Sequence, residues 1–183
     1  MAVAQTARNL ASGYYAFVVA HSVAVNPHSI NSLPPPKELG QDPTGNLPRK
    51  DGTFHTLNLR YYLDLLRENR DLQTQVLRTW AISAMLALGD ELRAHRYFDH
   101  APILELVYHL RNGMAHGNKF AIDERGRERL HKYPAHNRDA AVKGDLKTVY
   151  EITPDLTGSI LFDFMGPGDV IDVLQSVEIH LSR

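Results

Sequence analysis

The chain has 183 residues, and 20 lysines and arginines against 21 aspartates and glutamates give it a formal net charge of −1 at pH 7. A near-neutral protein has no bulk attraction to nucleic acid, so any RNA binding must come from a local basic patch. The sequence contains no cysteine, which excludes a disulfide framework, a thiol nucleophile and a cysteine-based zinc site. The length and a hydrophobic content of 43% predict a single domain over 1–183, and a cytoplasmic location fits the lack of cysteine.

The first half of the chain predicts helices separated by a long loop. Apolar side chains recur at near-helical spacing over 4–26 and stop at Asn26-Pro27. The apolar run 11–25 contains His21 and is shorter than the ~20 residues of a membrane span, so we expect a core helix and no signal peptide. Five of the ten prolines lie in 31–52, which predicts a Pro-rich loop. A second helical region is predicted over 57–96, as one helix or as two that break within 67–71.

The second half predicts a third helix, a basic insertion, a hairpin and a final helix. The third helix has Pro102 in its first turn and Asp99 or His100 as its cap. Residues 119–147 hold eight basic against five acidic residues and predict a loop-rich insertion with a short helix over 124–132. The β-prone segments 148–153 and 159–165 predict a β-hairpin over 148–165. The last helix is predicted to start at 166–169.

The end of the third helix carries a compact set of groups for phosphodiester chemistry, in the order Arg111-Asn112-Gly113-Met114-Ala115-His116. A guanidinium holds a phosphate through two N–H groups and stays charged at any relevant pH. A histidine side chain transfers protons near neutral pH. The Asn112 amide can donate to a phosphate oxygen. We therefore expect Arg111, Asn112 and His116 to be catalytic, in a scheme that needs no metal.

This segment resembles the Arg-Asn-x-x-x-His motif of the HEPN superfamily, and Ala115-His116-Gly117 is also typical of it. The resemblance implies a mainly α fold, a HEPN-like helical bundle, which here would carry a small β-hairpin inserted before the C-terminal helix. It implies a metal-independent endoribonuclease, a toxin or phage-defence effector with RNA as substrate, no cofactor, and an antitoxin protein as a possible partner. Other members of the superfamily are non-catalytic modules that bind RNA, nucleotides or proteins, and this is the alternative function.

The spacing of Arg111 and His116 leaves two geometries open. Residues five apart lie about 140° apart on a straight helix, so the two side chains would not share a face. One solution is a break in the helix at Gly113, which would bring both into one pocket. The other is a homodimer with a composite active site, in which two motifs face each other across a two-fold axis. The HEPN resemblance implies the second solution. A dimer whose Arg111 and His116 only stabilise the interface is a third possibility.

The same helix carries further polar groups at helical spacing. Glu105, His109, Asn112 and His116 would form one stripe on a continuous helix. A metal site is conceivable there, but the pattern lacks His-Glu-x-x-His, and we expect no metal. Instead, Glu105 or His109 is predicted to lie behind His116 and to set its tautomer.

The basic insertion offers a surface for the RNA backbone. Its candidate contacts are five basic residues: Arg125, Arg127, Arg129, Lys132 and Arg138. Histidine and tyrosine side chains lie among them and can stack on bases, as in single-strand binding proteins. Acidic residues interleave, however, so an ordinary solvated surface is the alternative interpretation.

Overall fold

The computed structural model describes residues 2–97, 99–139 and 148–183. Over these residues the chain is mainly helical, which confirms the predicted class, and it contains one small antiparallel sheet. In chain order the elements are α1 (Ala2–Ala24), a 3-10 helix (Pro27–Ser32), β1 (Thr44–Pro48), β2 (Phe54–Asn58), α2 (Leu59–Glu68), α3 (Arg70–Ala94), α4 (Pro102–Ala115), α5 (Glu124–Lys132), a 3-10 turn (Pro154–Leu156), α6 (Leu161–Phe164) and α7 (Pro167–Leu181).

The chain divides into two compact units, and the larger one comprises 1–15 and 78–183. Its core forms where α4 packs against α6 and α7, because each of these helices turns an apolar face inward. Tyr14 of α1 stacks on Trp80 of α3 with 4.5 Å between the ring centroids. The side chains with the least exposure include Met85, Leu88, Leu104, Leu106, Val107, Leu110 and Leu174. This unit contains the whole Arg111–His116 motif.

The second unit comprises 16–77 and contains the β-hairpin. Thr44 pairs with Asn58 and Pro48 with Phe54, and Gly52 adopts a positive φ of 83° in the connecting turn. The Asn58 side chain then accepts a hydrogen bond from the backbone N–H of Tyr61 and caps α2. The single domain predicted for 1–183 stays a prediction.

The predicted β-hairpin at 148–165 is wrong. In this segment Glu151 forms an isolated bridge with His136, and Ile160 forms one with Lys119, so the two arms pair with other parts of the chain. The segment 161–164 is helical, as α6. The β-prone residues of this segment are apolar and contribute to the core, and the buried ones include Tyr150, Ile152 and Leu161. The observed hairpin lies instead near α2 and begins within the predicted Pro-rich loop 31–52, so it does not directly precede the C-terminal helix.

Other predicted elements are confirmed. The second helical region is two helices, since Asn69 ends α2 and its side chain accepts a hydrogen bond from the N–H of Leu72 in α3. The short helix in the basic insertion spans Glu124–Lys132, and the final helix begins at Pro167. The part of that insertion over 140–147 lies outside the described residues. In the described ranges, no helix has the combination of length and apolar character that crossing a membrane requires.

Candidate functional site in the pocket between α4 and α5

The helix that carries the motif does not break at Gly113. It continues to Ala115, and His116 follows as the C-cap with φ −108° and ψ 47°. Gly117 and Asn118 then adopt positive φ values of 81° and 59°, and the N–H of Lys119 donates to the carbonyl of Gly113 at 3.0 Å, which closes the end of the helix. Of the two geometries that the sequence left open, the structure therefore excludes the broken helix within one chain.

Arg111 lies on the side of α4 that faces α3. Its Nε and Nη2 atoms are 2.9 and 2.8 Å from Oδ1 of Asp90, and its side chain is 24% exposed against 59% for Asp90. The approach is close, since a Cβ on Gly89 would lie 2.5 Å from the Cγ of Arg111. Arg111 also donates through Nη1 to Oδ1 of Asn112 at 3.4 Å. Arg111 therefore connects α4 to α3 through its ion pair with Asp90, and it also donates a hydrogen bond to the side chain of Asn112.

Asn112 and His116 line an open pocket of about 410 Å³ between α4 and α5, here called the α4–α5 pocket. Arg111 is not among its lining residues. Apolar and small residues from Gly113 and from 120–122 form part of the wall. The polar and charged side chains of the wall include His109, Asn112, His116, Asp123, Arg125 and Arg129.

A buried carboxylate anchors one wall of this pocket. Glu105 is 0% exposed, and it accepts hydrogen bonds from Nε and Nη2 of Arg129 at 2.6 and 2.7 Å. It also contacts Nδ1 of His100 at 2.7 Å. Burial by itself would lower the pKa of the Arg129 guanidinium, but the hydrogen bonds and negative charge of Glu105 raise that pKa above its ordinary value. Arg129 is therefore a fixed cation.

Aromatic rings complete this arrangement. The Tyr108 ring lies 4.0 Å from the guanidinium carbon of Arg129, in cation–π geometry. Tyr133 stacks on His100 with 3.7 Å between ring centroids. These contacts hold the end of α5 against the first turns of α4. Sequence reasoning missed this pairing, because Glu105 and Arg129 are 24 residues apart and share no local pattern.

His109 lies in the pocket wall and is only 6% exposed. Desolvation lowers the pKa of its imidazole to about 4, while Glu105 raises that pKa and the positive charge of Arg129 lowers it further. Its Nε2 atom is buried without a hydrogen-bond partner among the described residues. Buried polar atoms nearly always have a partner, so this nitrogen marks a place for a ligand group or a water.

The predicted polar stripe on α4 is present, with a division of roles. His109, Asn112 and His116 all line the pocket, and Glu105 lies buried behind it. The observed partners of Glu105 are Arg129 and His100, so its predicted effect on the tautomer of His116 stays a prediction. Within the described ranges, no cluster of three or more His, Asp or Glu side chains is placed to hold a metal.

The five predicted RNA contacts are not brought together. Arg125 and Arg129 line the pocket. The other three are elsewhere: Arg127 lies 3.9 Å from Glu124, Lys132 lies over the Tyr133 ring, and Arg138 pairs with Glu151. The wall also contains Asp123, which sequence reasoning did not single out. Its side chain accepts from the N–H of Gly126 and caps α5, a pattern that an aspartate before a helix signals.

Comparison of the chain with models of protein families, with curated proteins and with solved structures finds no match.

Proposed function

We propose that this protein is a metal-independent endoribonuclease of the HEPN type whose reaction takes place in the α4–α5 pocket. The observation that carries the proposal is that Asn112 and His116 line one pocket together with Arg125 and Arg129. A proton-transfer group, an amide donor and nearby cations each favour cleavage of a phosphodiester by the neighbouring 2′-hydroxyl.

In the proposed reaction, His116 accepts the proton of a ribose 2′-OH as the 2′-oxygen attacks the adjacent phosphorus. The bond from phosphorus to the 5′-oxygen breaks, and that oxygen takes a proton from solvent. The products are a 2′,3′-cyclic phosphate and a 5′-OH, and the proton balance closes when His116 releases its proton. Asn112 has Oδ1 engaged by Arg111, so its amide nitrogen remains to donate to the phosphate.

The test is RNA cleavage by the purified protein in EDTA, with the product ends identified. His116→Ala should abolish cleavage, whereas His28→Ala removes an exposed histidine of the other compact unit and should leave it unchanged. Cyclic phosphate ends from the wild type would support the mechanism, and DNA should resist because it lacks the 2′-OH. Full activity of His116→Ala, or no cleavage of any RNA by folded wild-type protein, would refute the proposal.

A homodimer with a composite site is the way in which Arg111 would take part in the reaction. The Arg111–Asp90 pair is partly exposed, so a second copy can approach it. Mixing Arg111→Gln with His116→Ala protein tests this, since activity returns only if the two residues come from different subunits. If a mixture of the two folded variants recovers no activity, Arg111 serves only to connect α4 to α3 and takes no part in a composite site. An antitoxin that covers the pocket belongs to the same proposal.

The second candidate is a non-catalytic module that binds RNA, a nucleotide or a protein. The engagement of Arg111 by Asp90, outside the pocket, favours this candidate, because a catalytic arginine must reach the reacting phosphate. Binding of RNA without cleavage in the assay above would establish it over the nuclease.

A further inference from the structure

Two arginines of α5 line the α4–α5 pocket, one helical turn apart. Arg125 and Arg129 are four residues apart, a spacing that places side chains on the same face of a helix. Arg127 lies between them in the sequence but does not line the pocket. The pocket therefore receives two of the three arginines of α5, selected by the helical period.

Arg129 is held in place before any ligand arrives. Its Nε and Nη2 atoms are occupied by the fully buried Glu105, and Tyr108 supports its planar face. These contacts leave the Nη1 group for a further acceptor. Because Glu105 has no exposed surface, a ligand in the pocket meets the guanidinium and not the carboxylate that anchors it. A preorganised cation binds an anion without the cost of ordering a long side chain.

Arg125 supplies the second cation and, unlike Arg129, has no carboxylate that holds its side chain in place within the described ranges. Its side chain is exposed, and it forms no ion pair within the described ranges. The acidic residue of the wall, Asp123, already accepts a hydrogen bond from the N–H of Gly126. His109 adds the unpartnered Nε2 atom, which can donate to an oxygen in the tautomer that has its proton there.

We propose that Arg125 and Arg129 form a phosphate-binding subsite of the α4–α5 pocket and that its ligand is a backbone phosphodiester of single-stranded RNA. Guanidinium groups match the paired oxygens of a phosphate, and an open pocket admits a chain that continues on both sides. The choice of RNA rests on the proposed function, whereas the binding of a phosphodiester does not. In this assignment the phosphate is held by Arg125 and Arg129, with Arg111 outside the pocket.

The experiment measures binding of a short, fluorescently labelled 2′-O-methyl RNA by anisotropy at several salt concentrations. This probe has the phosphodiesters but no 2′-OH, so the proposed reaction cannot cleave it. Arg125→Gln should weaken binding about fivefold, as expected for an exposed charge contact. It should also reduce the slope of log K against log salt by about 0.7, the value for one phosphate contact on a single strand.

Arg127→Gln is the matched control, since it removes the same charge from the same helix outside the pocket and should leave the affinity and the salt slope nearly unchanged. Arg129→Lys keeps a cation beside Glu105 but loses the planar fork, so it should also weaken binding. Its folding is checked by thermal denaturation, and Arg125→Gln decides alone if this variant is destabilised.

Equal effects of Arg125→Gln and Arg127→Gln, or no binding of the probe by wild-type protein, would overturn the subsite. Displacement of the probe by inorganic phosphate at concentrations that leave the ionic strength unchanged would assign the subsite to free phosphate and overturn the choice of RNA. The two proposals fail separately. Pocket-specific binding with no cleavage of RNA refutes the nuclease alone, and cleavage that depends on His116 with equal binding effects refutes the subsite alone.

Discussion

The burial of His109 makes the stability of the fold depend on pH in a way that one substitution isolates. The imidazole is 6% exposed, and desolvation lowers its pKa from the ordinary 6.5 to about 4, against the negative charge of Glu105 and with the positive charge of Arg129. In the unfolded chain these surroundings are lost, and the imidazole titrates near its ordinary pKa. His109→Gln replaces it with a polar side chain that never titrates.

The magnitude follows from the two pKa values. Above pH 6.5 the imidazole is neutral in both states, and it contributes no pH dependence. Between 6.5 and about 4 the unfolded chain binds a proton that the folded chain excludes, so the free energy of unfolding falls by about 1.4 kcal/mol for each pH unit of acidification. Below about 4 both states are protonated and the loss stops, at a total of about 3 kcal/mol.

The assay is urea denaturation of wild type and His109→Gln at several pH values from about 7 to about 4.5, the range in which this group titrates on unfolding. Burial by itself would raise the pKa of the Asp99 carboxyl, but hydrogen bonds that it accepts from the N–H of Ala101 and from His180 lower that pKa overall. Such carboxylates also destabilise the fold in acid. They act equally in both proteins and cancel in the difference. We expect the wild type to lose about 2 to 3 kcal/mol more than the variant over this range. Parallel curves would refute the claim that His109 is buried in its neutral form.

Two further substitutions test the contacts that α4 makes with α3 and with α5. Gly89→Ala should lower the free energy of unfolding by about 1–3 kcal/mol in a denaturant titration, because the new Cβ meets the Cβ and Cγ atoms of Arg111. Glycine to alanine in a helix normally raises that free energy by up to ~1 kcal/mol, and such a gain here would contradict the close packing. Glu105→Ala should lower the free energy of unfolding by about 3–5 kcal/mol, because it leaves the partly buried Arg129 without its anion. The control, Glu151→Ala, removes a carboxylate from an exposed pair with Arg138 and should lower it by less than about 1 kcal/mol. Equal losses would show that the burial of Glu105 does not decide the strength of its pair.

Local sequence signals predicted the helices well where they act over a single turn. Asp123 and Asn69 accept hydrogen bonds from the first turns of α5 and α3, and these bonds fix the starts of both helices. Pro167 occupies the first turn of α7, where its fixed φ suits a helix and its missing N–H is not needed. Such signals do not depend on which distant element packs against the helix. The cap predicted for the third helix at Asp99 or His100 is wrong, because Ala101 is the N-cap of α4 and no side chain caps it.

The misplaced hairpin shows where local signals fail. The residues around Ile152 and Leu161 are β-prone and apolar. They are buried in the unit that contains α4 and α7, and burial needs apolar side chains but does not need the two segments to pair with each other. In contrast, the hairpin of β1 and β2 is mostly exposed and includes Pro48, so its sequence lacks the alternation that identifies a half-buried strand. The β-prone residues of 148–165 therefore indicated burial and not a hairpin. The hairpin of β1 and β2 instead has its turn at Gly52, where φ is positive.

The candidate site divides in the same way. Helical periodicity alone placed His109, Asn112 and His116 on one face of α4, and the pocket lies on that face. Arg129 was among the predicted RNA contacts, but its place opposite these side chains could not be predicted, since it depends on the pairing with Glu105, 24 residues away. Periodicity also indicated that Arg111 points away from His116, and the unbroken helix at Gly113 keeps it there.

Two of the three arginines proposed to contact a phosphate, Arg111 and Arg129, differ most in the carboxylates that hold them. Arg111 and Arg129 have similar exposure, at 24% and 27%, but Asp90 is 59% exposed and Glu105 is 0% exposed. Water screens the Asp90 pair, so a phosphate arriving from solvent can compete with Asp90 for Arg111 at low cost. No ligand can displace Glu105 without leaving a bare charge in the interior, which costs several kcal/mol. Arg129 is therefore the arginine whose position is independent of a ligand, while Arg111 is the one that a ligand or a second subunit can redirect.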